Sequence, residues 1–120
     1  MHSKLLYCGL TALIAGVSLA GAPAHAASYD GQWSVVVVTE QGSCDVYRWD
    51  LGVAGGKINE RGIVAQANGQ VDRRGLVNVT FSRGSDQLAA TGTLSGLDGS
   101  GRWSLPSRQC SGRWKAEKKI

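Results

Sequence analysis

The chain has 120 residues, 42% of them hydrophobic and 18% charged, and a formal net charge of +4 at pH 7. This length suits one small domain, and there is no second apolar run long enough for a helix to span a bilayer. The cationic excess is mild, and with only two histidines, His2 and His25, general bases and transition-metal ligands are scarce from the outset.

Residues 1–26 read as a secretory signal peptide: a basic start ending at Lys4, an apolar stretch over residues 5–20, and Ala24-His25-Ala26 as the cleavage triplet. Removing 26 of the 120 residues leaves a single working domain of 94, residues 27–120, exported to the periplasm or the medium. Both histidines, Met1 and Cys8 leave with the leader. Tyr7 precedes Cys8 at the front of the apolar segment, so this cysteine does not read as a lipid anchor. Twelve Lys and Arg then face nine Asp and Glu, concentrated in the tail Lys115, Lys118, Lys119 and in the pair Arg73-Arg74.

Fourteen glycines and Pro106 punctuate what remains and leave no room for long helices. Residues 32–39 contain four consecutive β-branched valines, Val35, Val36, Val37 and Val38, which belong in a strand. Residues 76–82 put Val77, Val79 and Phe81 on one face and Asn78, Thr80 and Ser82 on the other. Residues 87–94 set Leu88, Ala90, Gly92 and Leu94 against Ala89, Thr91 and Thr93, and Cys110, Gly112, Trp114 and Ala116 oppose Ser111, Arg113, Lys115 and Glu117. Turn signals fall at residues 41–43, 55–56, 60–62, 68–69, 73–75, 83–85, 95–100 and 106–109. They predict an all-β domain of about eight or nine short strands: an antiparallel up-and-down meander closing into a barrel, with a β-sandwich as the alternative.

Cys44 and Cys110 remain in the exported domain, and a disulfide between them is expected. In an eight-strand meander they open the second and last strands, with the first strand lying between. Strands one neighbour apart are about 9 to 10 Å distant, beyond the roughly 7 Å that a bridge tolerates. The pairing therefore requires either cysteines that lean over the barrel mouth in loops or a different strand count.

Three tryptophans share one local frame: Gly31-Gln32-Trp33, Gly101-Arg102-Trp103 and Gly112-Arg113-Trp114. A glycine two residues before a tryptophan lies on the same face and leaves the indole room over bare backbone. Trp33, Trp103 and Trp114 read as structural core. In Tyr47-Arg48-Trp49, alternation points Tyr47, Trp49, Leu51 and Val53 inward, or leaves a surface aromatic patch. A Gly-x-Trp in the first strand, with Arg113 in the last strand covering the barrel end, resembles the calycin pattern of lipocalins, avidins and small bacterial metalloprotease inhibitors. That resemblance implies a barrel that binds a ligand or a protein, and it assigns no binding residue here.

The chemistry of the exported domain is restricted. Without histidine, no histidine-activated nucleophile can be built, Gly99-Ser100-Gly101 is a turn and not a nucleophile elbow, and two cysteines fall short of a structural zinc set. Neither a metal nor a cofactor is expected; haem would need Tyr29 or Tyr47 as ligand. Asp45 and Asp50 are the carboxylate pair to weigh for hydrolysis, and no phosphate-binding loop or RNA-binding sheet signature is present. The expected protein is an exported, non-enzymatic, monomeric barrel that contacts a macromolecule and no nucleic acid, acting as an inhibitor or an envelope-associated accessory protein. Candidate contacts are Tyr47, Trp49, Arg73 and Arg74. The alternative is a calycin-like binder of a small hydrophobic ligand using Tyr47, Trp49 and Phe81 in a partly open barrel.

Overall fold

The valine run shows how alternation becomes architecture: Val35 and Val37 are buried, Val36 is half-buried and Val38 is exposed on the opposite face. The computed structural model describes residues 28–120, and the expected leader, its cleavage site and Cys8 lie outside them. The strands are β1 Gly31–Gln41, β2 Tyr47–Val53, β3 Lys57–Arg61, β4 Gln66–Val71, β5 Leu76–Arg83, β6 Asp86–Ser95, β7 Asp98–Leu105 and β8 Cys110–Lys118. A single 3-10 turn, Pro106–Arg108, precedes β8.

All pairings are antiparallel, in the order β2-β1-β8-β7-β6-β5-β4-β3. First and last strands pair along most of their length, from Trp33 opposite Lys118 to Gln41 opposite Ser111. The sheet is thus a meander rolled into a nearly closed barrel, and its two edges, β2 and β3, are consecutive in the chain. Only Ala54 and Lys57 bridge them directly. Beyond that bridge the edges part, and the Gly52 N–H is satisfied by the Glu60 carboxylate at 3.1 Å in place of a backbone carbonyl. Inside the seam, Trp49 packs on Phe81 with ring centroids 4.4 Å apart.

Eight strands hold, and so does the disulfide. Cys44 lies in the loop between β1 and β2, where it leans to meet Cys110 at the first position of β8, with Cα atoms 6.2 Å apart. The loop explains how β1 can stand between the strands that the bridge connects. Gly42 makes the approach feasible, since a Cβ there would meet the Cys110 sulfur at 2.7 Å.

One expected turn is a strand centre. Asn68 and Gly69 lie in the middle of β4, opposite Asn59 and Ile58 on one side and Thr80 and Val79 on the other. Gly69 is there for space: a Cβ would collide with Val79, so the residue read as a turn marker is a point of close strand approach.

The tryptophan frames also differ from expectation in an instructive way. The glycines beneath the Trp114 indole come from neighbouring strands and not from its own motif. On antiparallel β7 and β8, the two Gly-Arg-Trp frames lie head to tail, so Gly101 sits opposite Trp114 and Gly112 opposite Trp103. A Cβ on Gly101 would meet the Trp114 Nε1 at 2.6 Å, and one on Gly92 would meet Trp114 Cζ2 at 2.5 Å. The indole N–H groups find carbonyls: Trp114 donates to Thr91 at 3.0 Å, Trp103 to Val38 at 3.0 Å and Arg113 at 3.1 Å, and Trp33 to Tyr29 at 2.8 Å. Among the described residues the buried set is entirely apolar, so no polar side chain needs burying with a partner.

Two stability measurements follow. Replacing both Cys44 and Cys110 by Ala releases a link spanning 66 residues, and chemical denaturation is expected to show a loss of about 4 kcal/mol. Gly101→Ala is expected to cost about 1 to 3 kcal/mol by overpacking, and Trp114→Ala about 3 to 5 kcal/mol. Their double mutant should stay close to the sum, because a Cβ at Gly101 also meets the Thr91 carbonyl and the Gly92 backbone, which loss of the indole leaves in place.

Candidate functional site

The barrel offers four places where chemistry or binding could reside: its interior, its two rims and a groove on its outer face. The interior is nearly filled. The space between Trp33, Leu51, Phe81, Leu94, Trp103 and Trp114 and their neighbours is a wholly apolar void of about 40 Å³. That holds a solvent-sized probe, and it falls well short of the roughly 150 Å³ of a cavity that takes benzene. On the outer face of β1 and β8 a shallow groove of about 650 Å³ runs past Val36, Val38, Arg48, Lys115 and Glu117.

Up-and-down chain direction sorts the loops into two groups. One rim, called here the disulfide rim, carries loops 42–46, 62–65, 84–85 and 106–109; the opposite rim carries residues 28–30, 54–56, 72–75 and 96–97 and the end of the chain. This sorting separates the four residues expected to form one contact site. Tyr47 begins β2 at the disulfide rim. Trp49 is half-buried within the seam against Phe81, below that rim. Arg73 and Arg74 occupy the β4–β5 turn at the opposite rim. There Asp72 Oδ1 accepts the N–H groups of Arg74 at 2.8 Å and Leu76 at 2.9 Å, an Asx-type turn that fixes the backbone and leaves both arginines exposed. One surface cannot use both pairs.

Inward alternation in β2 holds for Leu51 and Val53, which are buried, and fades toward the rim, where Tyr47 is exposed. Arg113 points outward from β8 and pairs with Glu40 at 2.8 Å, so it does not cover the barrel end as the calycin resemblance implies. Asp50 also faces outward and holds Lys119 at 3.0 Å, whereas Asp45 lies in the disulfide-rim loop, so the two do not line a common cleft. Tyr29 packs beneath the opposite rim, near Gly75, while Tyr47 lies at the disulfide rim; no single haem site includes both.

Sequence reading missed three members of the disulfide rim: Val46, Ile63 and Val64. Ile63 and Val64 form the middle of loop 62–65, immediately after the turn expected at residues 60–62. The available signal was an apolar pair next to Gly62 with no period-two continuation on either side.

Each rim is also held by a carboxylate. Asp30 accepts the N–H groups of Gly55 at 2.8 Å and Gly56 at 3.0 Å, tying the start of the domain to the β2–β3 turn. At the disulfide rim Asp86 accepts from Ser107 Oγ at 2.6 Å and Arg108 Nε at 2.9 Å, tying the β5–β6 hairpin to the 3-10 turn. These bonds hold both carboxyls below their usual value of 3.8, Asp30 chiefly through Gly56 and then Gly55, Asp86 chiefly through Ser107 and then Arg108.

Comparison with protein-family models, with characterised proteins and with solved structures finds no match to this chain.

Because both carboxyl pKa values are lowered by folding, the stabilisation they supply is complete above about pH 4 and is lost as pH falls through the lowered values. Denaturation midpoints measured from pH 7 to pH 2 should therefore decline at the acid end. Asp30→Asn and Asp86→Asn should each reduce that decline by lowering the neutral-pH midpoint while leaving the acid end little changed.

Proposed function

We propose that this chain is an exported, non-enzymatic β-barrel that acts by contacting a macromolecule of the cell envelope or its surroundings through the loops of the disulfide rim. The observation that carries this reading is the filled interior: with a void of about 40 Å³, binding falls to the outer surface, where the groove along β1 and β8 is open and the two rims project loops. Of the two, the disulfide rim has the more exposed apolar side chains, at Val46, Tyr47, Ile63 and Val64. Its principal loop is tied to β8 by a covalent link, which reduces the ordering cost of an encounter. An oxidising destination suits such a disulfide.

A second reading draws on the seam. With β2 and β3 joined only at Ala54 and Lys57, parting of Trp49 from Phe81 would open the interior to a small hydrophobic ligand, in the calycin manner.

Retention assays with the immobilised, disulfide-bonded protein separate the two. Envelope components should be retained by the unaltered protein, retained less by a Tyr47→Ser, Ile63→Ser variant, and retained normally by an Arg73→Ala, Arg74→Ala variant. A saturable, stoichiometric change in tryptophan fluorescence with a hydrophobic ligand, together with retention indifferent to the rim variants, would establish the second reading instead.

A further inference from the structure

We propose that the disulfide rim docks on an anionic lipid bilayer, with Ile63 and Val64 seated among the headgroups and Arg48 and Arg61 facing their phosphates. This inference rests on the reading of that rim as the contact surface and names its partner.

Loop 62–65 is a tight turn in which the Gly62 N–H donates to the Ala65 carbonyl at 2.8 Å. Its two central residues are β-branched and apolar, where turn chemistry favours glycine, proline, asparagine or aspartate. Neither side chain folds back onto the barrel: Ile63 is fully exposed and Val64 is 64% exposed. Residues that break the local rule and gain no packing inside the chain point to a contact outside it.

Across the seam the second loop repeats the arrangement. Val46 is 62% exposed and Tyr47 43%, in the loop that the Cys44–Cys110 bridge anchors. Two loops flanking the open end of one seam thus project aliphatic tips and one amphipathic ring. Projecting tips of this kind suit the soft interface of a bilayer, where tyrosine and aliphatic side chains sit among headgroups.

The charges at this rim complement the same partner. Arg113 pairs with Glu40, and Arg108 with Asp86, to which Arg83 also lies close. Arg48 and Arg61, which flank the two apolar tips, have no carboxylate within 4.0 Å among the described residues; Asp45 and Glu60 are likewise without a cation, and Glu60 is taken up by the Gly52 N–H. Cations beside an apolar tip are what an anionic leaflet attracts. The opposite rim also carries cations without an ion pair among the described residues, Arg73, Arg74 and Lys118, but no loop there presents two adjacent exposed aliphatic side chains as loop 62–65 does; its exposed Leu76 and Leu97 stand singly.

Sedimentation of the exported, disulfide-bonded protein with vesicles tests this directly. Vesicles of phosphatidylcholine containing phosphatidylglycerol should bind it, pure phosphatidylcholine should bind it at least about tenfold more weakly, and added salt should reduce binding. Ile63→Ser with Val64→Ser should lower the partition coefficient by about tenfold or more. Arg48→Gln with Arg61→Gln should remove the preference for anionic vesicles, and Arg73→Gln with Arg74→Gln should change little. All six residues are exposed, so an unchanged melting temperature verifies that each variant is folded. No sedimentation with anionic vesicles, binding lost only in the Arg73, Arg74 variant, or equal binding to a soluble polyanion that Ile63→Ser leaves untouched would each overturn the proposal. If rim variants still lose envelope retention while vesicles fail to bind, the rim is a protein-binding surface and only the lipid assignment falls.

Discussion

A barrel has an interior that must be filled, and this domain brings few side chains to fill it: Leu, Ile, Val and Phe supply 20 of residues 27–120. The reciprocal packing of two Gly-Arg-Trp frames on β7 and β8 resolves that shortage. Each indole covers several aliphatic residues' worth of volume, and Trp114 requires neighbours with no side chain, Gly101 and Gly92. The antiparallel register supplies the first, because frames of equal spacing laid head to tail place each glycine opposite the other tryptophan. Gly92 on β6 extends the floor beneath Trp114, so three consecutive strands are locked around one ring. The indole N–H groups bond to carbonyls, and the core therefore contains no unsatisfied polar side-chain atom among the described residues.

That solution shapes what the molecule can do. A barrel stopped with indoles and valines has no room for a substrate, and its lining offers no polar group with which to orient one. Functional variety is left to the loops, which the core holds at fixed positions without depending on their composition. The disulfide adds to this by binding the β1–β2 loop to the first residue of β8 across the barrel mouth.

The seam is the one place where the design is unfinished. Eight strands would close completely if β2 and β3 paired along their length, but β3 has five residues and a side-chain carboxylate stands in for a ladder carbonyl. Charged residues line the two edges, Arg48 and Asp50 on β2 and Lys57 and Arg61 on β3, which discourages pairing with another chain. The apolar loop tips lie at the end of this seam, beyond the charged edges.

Alternation along a strand is a local property, and the sequence determined it: the faces of β1, β5, β6 and β8 are legible residue by residue, as are most turns and the cysteine pair. Gly69 misled because a glycine that makes a turn and a glycine that admits a neighbour look the same in one dimension. Which glycine each indole covers, whether Tyr47 meets solvent or core, and which loops share a rim are relations between strands distant in the chain. Tertiary structure decided them. It put Tyr47 and Arg73 at opposite ends of the barrel and brought Val46 and Ile63 to the same one, because each strand reverses the chain and only the closed sheet determines where the reversals meet.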